Sequence, residues 1–433
     1  MKLFTAAYPL SDAGLQTPRL LQHLPPSLAD KCLHTTSLLQ QFLLLAYPIL
    51  LTQHQLQLQH QKILHTATPS VSPTNSNPTS NDLNMAPSLA ILDDYAGIAS
   101  KHFQPLVEQG FLSKIVSFPD TLNANKPEDL QAQIERLKDF EIISCMRERS
   151  PFPDQLLKNL PKLKVLLSSG TRNAAIDLGA CKERGVVVTG TTGTTEIEGL
   201  EAPAPKDFSA VNQHAWALLL SLAGRVPQDD RVLKTSSAWQ SGLAISLGGK
   251  TLGVMGLGKL GVQMARTAVL GFGMRVVAWS ENLTQAAAEE RAPGLGVKVV
   301  GSKEQLLREA DAVSLHLVLS DRTRGVVGRE ELQQMKSDAL LVNTSRGGLI
   351  DESALIQTVK DGGIGGVALD VFWEEPLPKD SVWRSTDSWA KSAVVLSPHM
   401  GYVNSATLER WYAEQAEELG RWGRGEGVRT KMG

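Results

Sequence analysis

Three side chains of complementary chemistry lie toward the C-terminal end of the chain, each one to a few residues beyond a short apolar run. They are Arg346, Glu375 and His399. A guanidinium can hold a carboxylate and a carbonyl oxygen with its planar set of donors. An imidazole beside a carboxylate favours its charged form and can supply a proton. We therefore predict a site of hydride transfer to a carbonyl, with Arg346 polarising the substrate and His399 as the acid-base.

A glycine turn upstream of these side chains predicts the hydride carrier. Gly256, Gly258 and Gly261 follow the apolar run Thr251–Met255 directly and open an apolar helical pattern, Lys259–Leu270. Gly256 permits a tight turn, Gly258 lets a pyrophosphate approach the backbone, and Gly261 allows close contact between helix and strand. Because the turn lies between a strand and a helix, it is typical of a dinucleotide site.

The residues after the second strand leave the choice of cofactor open between NAD and NADP. An acidic residue there normally binds the ribose hydroxyls and disfavours a 2′-phosphate. Here the run Met274–Trp279 ends at Ser280, and Glu281 follows. Glu281 could still reach the ribose or repel the extra phosphate, and no arginine stands next to Ser280 to bind one. The sequence slightly favours NAD.

Six apolar runs with the length of β-strands must position these residues, and helical patterns separate several of them. The runs are Leu252–Met255, Val276–Trp279, Ala312–Leu317, Leu340–Val342, Val367–Leu369 and Val394–Leu396. Such alternation favours a parallel sheet, whose ligands bind beyond the carboxyl ends of the strands. The residues at those ends, which we expect in one crevice, are Gly256, Ser280, Leu319, Arg346, Asp370 and His399.

The preceding half of the folded chain has the same alternation but no glycine fingerprint. Its strand candidates are Leu89–Leu92, Ile115–Phe118, Ile142–Cys145, Val165–Leu167 and Val186–Thr189, with helical patterns at Asp129–Leu137 and Pro153–Leu160. A parallel α/β domain without the fingerprint is better suited to substrate contacts. We predict a substrate domain at residues 88–209 and a dinucleotide-binding domain at residues 210–402.

Two helical patterns bear on how these domains are completed. Ala210–Val226 is apolar enough to be buried, either between two subunits or within one core, and periodicity alone leaves both readings open. Near the end of the chain, one helical face carries Leu408, Trp411, Tyr412, Ala416, Leu419 and Trp422. We expect residues 403–433 to pack back onto the substrate domain, with a hinge near residues 401 and 402.

The composition of the chain limits which binding partners and which cell compartment are expected. The formal net charge of -2 and the absence of a basic block argue against a nucleic-acid partner. Cys32, Cys145 and Cys181 form no close pair that could ligate a metal, so no metal site is predicted and a reducing compartment, the cytoplasm, is favoured.

The first 87 residues differ from the rest and read as a low-complexity extension. Ser70–Asn81 is polar and Pro-rich, which predicts disorder. The apolar run Phe42–Leu51 is too short to span a bilayer and contains Pro48, so no membrane association is expected. A mitochondrial presequence is the alternative, although arginine enrichment is missing. A functional chain could begin at Met85.

Four ordered motifs carry a family resemblance. They are Gly-Leu-Gly-Lys-Leu-Gly from Gly256, Asn-Thr-Ser-Arg-Gly from Asn343, Leu-Asp-Val-Phe-Trp-Glu-Glu-Pro from Leu369, and Pro398-His399. Together they resemble the D-isomer-specific 2-hydroxyacid dehydrogenases from about Leu89 onward. The resemblance implies a flavodoxin-like substrate domain, a Rossmann domain, homodimers, and reduction of a 2-oxo acid to a D-2-hydroxy acid or the reverse.

The resemblance also implies roles for single residues. Arg346 would bind and polarise the substrate, His399 would be the acid-base, Glu375 would support it, and Asp370 would contact the nicotinamide side. The expected cofactor contacts are Gly256, Gly258, Lys259, Leu260, Gly261, Ser280, Thr344, Ser345, Arg346, Asp370, His399 and Gly401.

Departures from the family pattern concern the substrate loop and the subunit contact. Gly170 and Thr171 precede Arg172, which stands where the family usually has a second glycine. We expect all three to contact substrate together with Arg346, Arg172 adding a second cation, although a helix-capping or surface role fits Arg172 equally well. Thr194–Ser209 is longer and more acidic than the family connection, and Gln213 replaces a common glutamate, so dimer packing is left in doubt.

Two other functional classes share parts of this pattern. Corepressors that sense NAD(H) and resemble the family keep its folds and its three site residues, so a binding protein with little turnover is the alternative function. Formate dehydrogenases carry an amide in place of the acid, and Glu375 argues against them.

Overall fold

The computed structural model describes residues 86–433, apart from Glu201, Ala204 and Lys206. The predictions on Phe42–Leu51, Ser70–Asn81 and the Met85 start therefore lie outside the described residues. Among the helices of the described part, none combines the length and the apolar character needed to cross a membrane.

The first of two sheets has five parallel strands in the order β2-β1-β3-β4-β5. They are β1 (Ser88–Leu92), β2 (Lys114–Phe118), β3 (Ile142–Cys145), β4 (Val165–Ser168) and β5 (Val187–Thr189). Helices α1 (Ser100–Glu108), α2 (Pro127–Leu137), α3 (Asp154–Leu157) and α4 (Leu178–Glu183) alternate with them. This order is that of the flavodoxin-like doubly wound fold.

The second sheet has seven parallel strands in the order β12-β11-β10-β9-β6-β7-β8. They are β6 (Thr251–Met255), β7 (Arg275–Trp279), β8 (Lys298–Val299), β9 (Ala312–Leu315), β10 (Leu340–Asn343), β11 (Gly366–Leu369) and β12 (Ala393–Leu396). The order reverses between β6 and β9, as in a Rossmann fold. Fold class is thus α/β with two parallel sheets, as the sequence predicted.

Helices cover both faces of the second sheet and connect it to the first. They are α5 (Ala210–Ala223), α6 (Val226–Thr235), α7 (Lys259–Phe272), α8 (Gln285–Arg291), α9 (Lys303–Glu309), α10 (Arg329–Gln334), α11 (Glu352–Asp361) and α12 (Ser405–Gly423). Short 3-10 turns occupy Gly347–Leu349 and Val382–Ser388. Each sheet has an apolar cluster on each face, which explains why its central strands are apolar without alternation.

The C-terminal helix α12 returns to the first sheet. It packs against α1 and β4. Beyond it, the backbone N–H of Met432 donates to the carbonyl of Val188 at 2.9 Å, and Lys431 forms an antiparallel bridge with Thr189. The chain thus passes between the two sheets twice, after β5 and before α12.

Three predicted elements end at other residues in the structure, and one strand was not predicted. The helix predicted at Ala210–Val226 ends at Ala223, because Gly224 is followed by Arg225 in the left-handed region with φ 55°. The helix predicted at Pro153–Leu160 shrinks to α3, and the strand predicted to Leu317 ends at Leu315. The two-residue strand β8 was not predicted, because its exposed edge position gives no apolar run.

Candidate active site

His399 and Glu375 form a close pair beyond the carboxyl ends of β12 and β11. The distance between His399 Nδ1 and Glu375 Oε2 is 2.6 Å. The second carboxylate oxygen, Oε1, accepts a hydrogen bond from the backbone N–H of Phe372 at 2.8 Å, which fixes the carboxylate. His399 has φ 55°, an uncommon backbone conformation outside glycine. Since Nδ1 is engaged, Nε2 is the ring nitrogen that remains to meet a ligand.

A cavity of about 580 Å³ lies beside this pair. Loops of both sheets line it: Thr121 and Arg147 to Arg149 come from the first sheet, and the stretches around Glu375 and His399 come from the second. Its size is in the range of sites for small molecules. The imidazole therefore faces a space in which a small ligand can be surrounded by protein.

Arg346 lies at the end of β10, next to the cavity wall but not in it. Its Nη1 donates to the carbonyl of Ser345 at 2.7 Å, and its Nη2 donates to Glu148 Oε1 at 3.3 Å. Glu148 does line the cavity. A Cβ at Gly347 would overlap the backbone of Phe372, so only glycine lets this turn lie against the loop that carries Glu375.

The glycine turn between β6 and α7 has the geometry of a phosphate cradle. Gly256 has φ 99°, and a Cβ there would lie 2.8 Å from the carbonyl carbon of His316. A Cβ at Gly261 would overlap the carbonyl oxygen of Gly256. At Gly258, in contrast, a Cβ would meet no protein atom within 4 Å. The fold itself therefore requires two of the glycines, and the third keeps open space at the N-terminus of α7, where an anion is favoured.

Two buried polar atoms just after the neighbouring strands β9 and β10 have no hydrogen-bond partner within the described residues. They are Thr344 Oγ1, after β10, and His316 Nδ1, after β9. Burial lowers the pKa of His316 to about 4, so its ring is neutral. Unpartnered buried polar atoms are costly unless a ligand or water satisfies them. A dinucleotide, rich in hydroxyl and amide groups, fits these atoms and the open space at Gly258.

Asp370, predicted to contact the nicotinamide, holds the loop after His399. Its side chain is 1% exposed and accepts backbone hydrogen bonds from Met400 (2.7 Å, Oδ1) and Gly401 (2.9 Å, Oδ2). His214 Nε2 lies 3.0 Å from the same Oδ1. Burial alone would raise the pKa of Asp370, but the hydrogen bonds from His214 and Met400 outweigh it and the pKa is lowered. The carboxylate is thus charged and fully engaged.

A second contact joins the His399 loop to the first sheet. Tyr402 lies with its ring 5.4 Å from the His399 ring, and its hydroxyl accepts a hydrogen bond from Arg149 Nε at 2.9 Å. The Arg149 guanidinium also lies 4.8 Å from the Tyr95 ring. Burial raises the pKa of Tyr402, so the phenol stays protonated.

The predicted substrate loop is not part of the cavity wall. Thr171 and Arg172 are exposed, and neither they nor Gly170 line the cavity. Gly170 has φ 81°, and a Cβ there would overlap the Arg147 guanidinium. Its role in the structure is therefore to make room for Arg147.

The remaining predicted cofactor contacts lie around the glycine turn and the strand ends. Lys259 is exposed, Leu260 and Ser280 are half-buried, and Ser345 Oγ donates to the carbonyl of Leu315 at 2.7 Å. Gly401 is buried, and a Cβ there would lie 3.2 Å from Asp370 Oδ2.

The sequence also predicts that the loop Arg147–Arg149 shapes the substrate pocket, and this loop does line the cavity. Sequence reasoning missed His214, His316 and the contact of Glu148 with Arg346. His316 lies within the apolar run Ala312–Leu317, and His214 lies within the apolar helix pattern Ala210–Val226. A polar residue inside an apolar pattern is the signal that could have indicated them. Glu148 is separated from Arg346 by 198 positions in the chain, so no local pattern indicates their contact.

Comparisons with known proteins give one family match and several relatives. A model of the "D-isomer specific 2-hydroxyacid dehydrogenase, NAD binding domain" matches residues 216–401. A glyoxylate reductase of Korarchaeum cryptofilum is 34% identical over 307 residues, which cover 69% of this chain and 85% of that protein.

Two further relatives carry another name. A D-3-phosphoglycerate dehydrogenase of Methanocaldococcus jannaschii is 33% identical over 68% of this chain, and the match spans 52% of that protein. The crystal structure of a phosphoglycerate oxidoreductase from Vibrio cholerae is similar with a TM-score of 0.66 and 32% identity. That likeness covers 78% of this chain and 99% of the solved one.

Proposed function

The chain belongs to the D-isomer-specific 2-hydroxyacid dehydrogenase family, and from this premise we propose that it reduces a short 2-oxo acid to the D-2-hydroxy acid with NADH, or runs the reverse. The family and its NAD-binding domain support the NAD-linked reaction class. The observation that carries the assignment of residues is the 2.6 Å pair of His399 Nδ1 and Glu375 Oε2 beside a cavity of about 580 Å³.

When bound, the dinucleotide supplies a hydride to C2 of the substrate. His399 donates the proton from Nε2 to the substrate oxygen, so that hydride and proton together complete the two-electron reduction. Glu375 orients the ring and stabilises its charged form, since a carboxylate within hydrogen-bond distance favours the imidazolium. In the reverse direction His399 accepts the proton as a base.

Arg346 holds the substrate carboxylate and stabilises charge that develops on the oxygen at C2. Its planar donors match one carboxylate oxygen and the carbonyl oxygen of a 2-oxo acid. The proposal is supported by its place at the end of β10, against the loop that carries Glu375. Gly256 to Gly261 and the N-terminus of α7 would hold the pyrophosphate, and Thr344 and His316 would meet polar groups of the cofactor.

A steady-state assay tests this function. The full chain is given NADH or NADPH with glyoxylate, hydroxypyruvate and pyruvate in turn, and oxidation of the reduced cofactor is followed at each concentration. We expect turnover with at least one acid and a lower KM for NADH than for NADPH. Tight cofactor binding without turnover on any acid would instead favour the corepressor-like sensor.

We also propose that the chain forms homodimers. The proposal is supported by large apolar side chains exposed along and after α5 and α6: Leu220, Val226, Leu233, Trp239 and Leu243. Large apolar side chains that are exposed in a single chain are often covered at a subunit interface. Light scattering on the eluted protein should give twice the chain mass, and a monomer at micromolar concentration would contradict the proposal.

A reducing compartment such as the cytoplasm is proposed for the location. Cys145 and Cys181 are free thiols, and burial raises the pKa of Cys145 to about 12. Imaging of the full chain with a fluorescent fusion, compared with a mitochondrial marker, tests the alternative raised by the first 85 residues.

A further inference from the structure

Among the described residues, Glu148 is the acidic side chain that pairs with Arg346, and it comes from the other sheet. Its Oε1 lies 3.3 Å from Arg346 Nη2, and its Oε2 lies 3.4 Å from Arg147 Nε. The carboxylate is therefore held between two guanidinium groups. Since Arg346 is proposed to bind the carboxylate of the substrate, Glu148 occupies a donor that the substrate needs.

The position of Glu148 is restrained through its neighbour and partner Arg147. Arg147 has φ 53° and its guanidinium lies over the backbone of Gly170, where any side chain would collide with it. The same guanidinium lies 6.0 Å from the Trp411 ring. Backbone strain of this kind persists where the surroundings fix it. Glu148 is 28% exposed and lines the cavity.

The arginines of the cavity wall already have partners. Arg149 donates to Tyr402, and Arg384 donates to the carbonyls of Leu377 and Pro378. Arg147 pairs with Glu148. Arg149 and Arg384 meet neutral oxygen atoms, whereas Glu148 places a negative charge between Arg147 and Arg346 at the cavity wall.

We propose that Glu148 determines specificity, so that the site takes a 2-oxo acid whose only negative charge is its carboxylate and rejects one with a phosphate or second carboxylate on C3. The inference rests on the function proposed above. The substrate carboxylate displaces Glu148 from Arg346 Nη2, and the displaced Glu148 remains in the cavity. There it tolerates hydrogen or hydroxyl on C3 but repels an anion.

The test compares hydroxypyruvate with its 3-phosphate ester, two substrates that differ in the charged group alone. For the wild type we expect kcat/KM to favour hydroxypyruvate. Glu148→Gln should reduce that preference about tenfold or more, because it removes the repelling charge and keeps the side-chain shape. It should also lower the KM for hydroxypyruvate about threefold with kcat nearly unchanged, because the internal competitor for Arg346 is weakened.

Two variants serve as controls. Glu148→Asp keeps the charge and should keep the preference for hydroxypyruvate. Glu374→Gln removes one negative charge from an exposed residue next to Glu375, and should leave the preference unchanged. If Glu148→Gln is insoluble, added salt provides a second test on the wild type. Because salt screens the charge of Glu148, it should reduce the preference for hydroxypyruvate over its phosphate ester.

The outcomes separate the two proposals. An active wild type that prefers the phosphate ester, or an unchanged preference in Glu148→Gln, overturns the inference and leaves the proposed reaction standing. No turnover with any 2-oxo acid overturns the proposed function, and the inference with it.

Discussion

The loops of His399 and Arg346 both lie at the carboxyl edge of the second sheet, but they are held in different ways. The His399 loop is fixed mainly from within its own half: Glu375 holds the ring, and buried Asp370 holds the next two backbone N–H groups. The Arg346 guanidinium meets Glu148, which comes from the first sheet. The proton donor is therefore preorganised, whereas the arginine depends on how the two halves face each other.

This difference suggests a division of labour. A residue that must deliver a proton at a defined atom gains from rigid support within one unit. A residue that must release one carboxylate and accept another gains from a partner that can move away with the other unit. Variants at the two loops should consequently separate effects on kcat from effects on KM.

Replacement of the proton donor should give the largest effect. We expect His399→Asn to lower kcat about 10³-fold with little change in KM, because general acid-base catalysis is lost while the arginine remains. The control is His102→Asn, which removes a second histidine at 2.6 Å from a carboxylate, that of Glu409, outside the cavity. Equal losses in the two variants would argue against a catalytic His399.

Replacement of Arg346 should give the next largest effect, mainly on KM. Arg346→Lys keeps the charge but loses the planar pair of donors, so kcat/KM should fall roughly 100-fold, chiefly through KM. Arg136→Lys, which alters a surface pair with Asp120, provides the matched control. A loss confined to kcat would contradict the division of labour.

The buried carboxylate behind His399 should matter for both activity and stability. Asp370→Asn weakens the anchor of residues 400 and 401, so we expect about a tenfold loss of kcat and a loss of about 2 kcal/mol in the free energy of unfolding. His214→Gln, which removes a single partner of Asp370, should lose less of both. Steady-state kinetics and urea unfolding measure the two quantities.

The pH dependence of the stability that Asp370 provides follows from the direction in which its pKa is shifted. The pKa of Asp370 is lowered in the folded chain from an ordinary value of 3.8, so its contribution to stability is present above that pH. It is lost as the pH falls below 3.8 toward the folded pKa. The difference in unfolding free energy between wild type and Asp370→Asn should therefore shrink in that acidic range, and a difference that grows there would be inconsistent with a charged Asp370.

The contact of Tyr402 with Arg149, which joins the His399 loop to the first sheet, should give the smallest effect. Tyr402→Phe removes the acceptor for Arg149 and should cost about 1 kcal/mol of stability and raise KM about threefold, since the ring against His399 remains. Tyr95→Phe keeps the ring under the Arg149 guanidinium and should change neither quantity. If Tyr402→Phe lowered kcat as strongly as Asp370→Asn, the His399 loop would not be held mainly from within its own half.

The sequence predicts the strands well, but it does not predict the contacts between loops of the two halves. Buried parallel strands leave continuous apolar runs, so eleven of the strands, all but β8, were anticipated near their actual bounds. The residues at their carboxyl ends could be named because strand direction fixes which edge they share. Contacts between distant loops, such as Glu148 with Arg346, leave no pattern in the sequence.

Other residues were predicted by position but differ in surroundings. Arg172 was expected to contact substrate because it replaces a glycine of the family loop, yet the structure leaves it exposed, away from the cavity wall. His214 lies within the predicted apolar helix, and its imidazole meets a buried carboxylate. Periodicity reports which face of a helix is buried and not what a polar group on that face contacts.

The tail beyond α12 has a consequence for solubility. Strand β5 is the last of the first sheet, and its outward N–H and C=O groups would be open to strand addition from another molecule. Residues 430–432 cover it through hydrogen bonds to Val188 and Gly190. By occupying this edge, these three residues prevent edge-to-edge aggregation, a role separate from the chemistry proposed for His399 and Arg346.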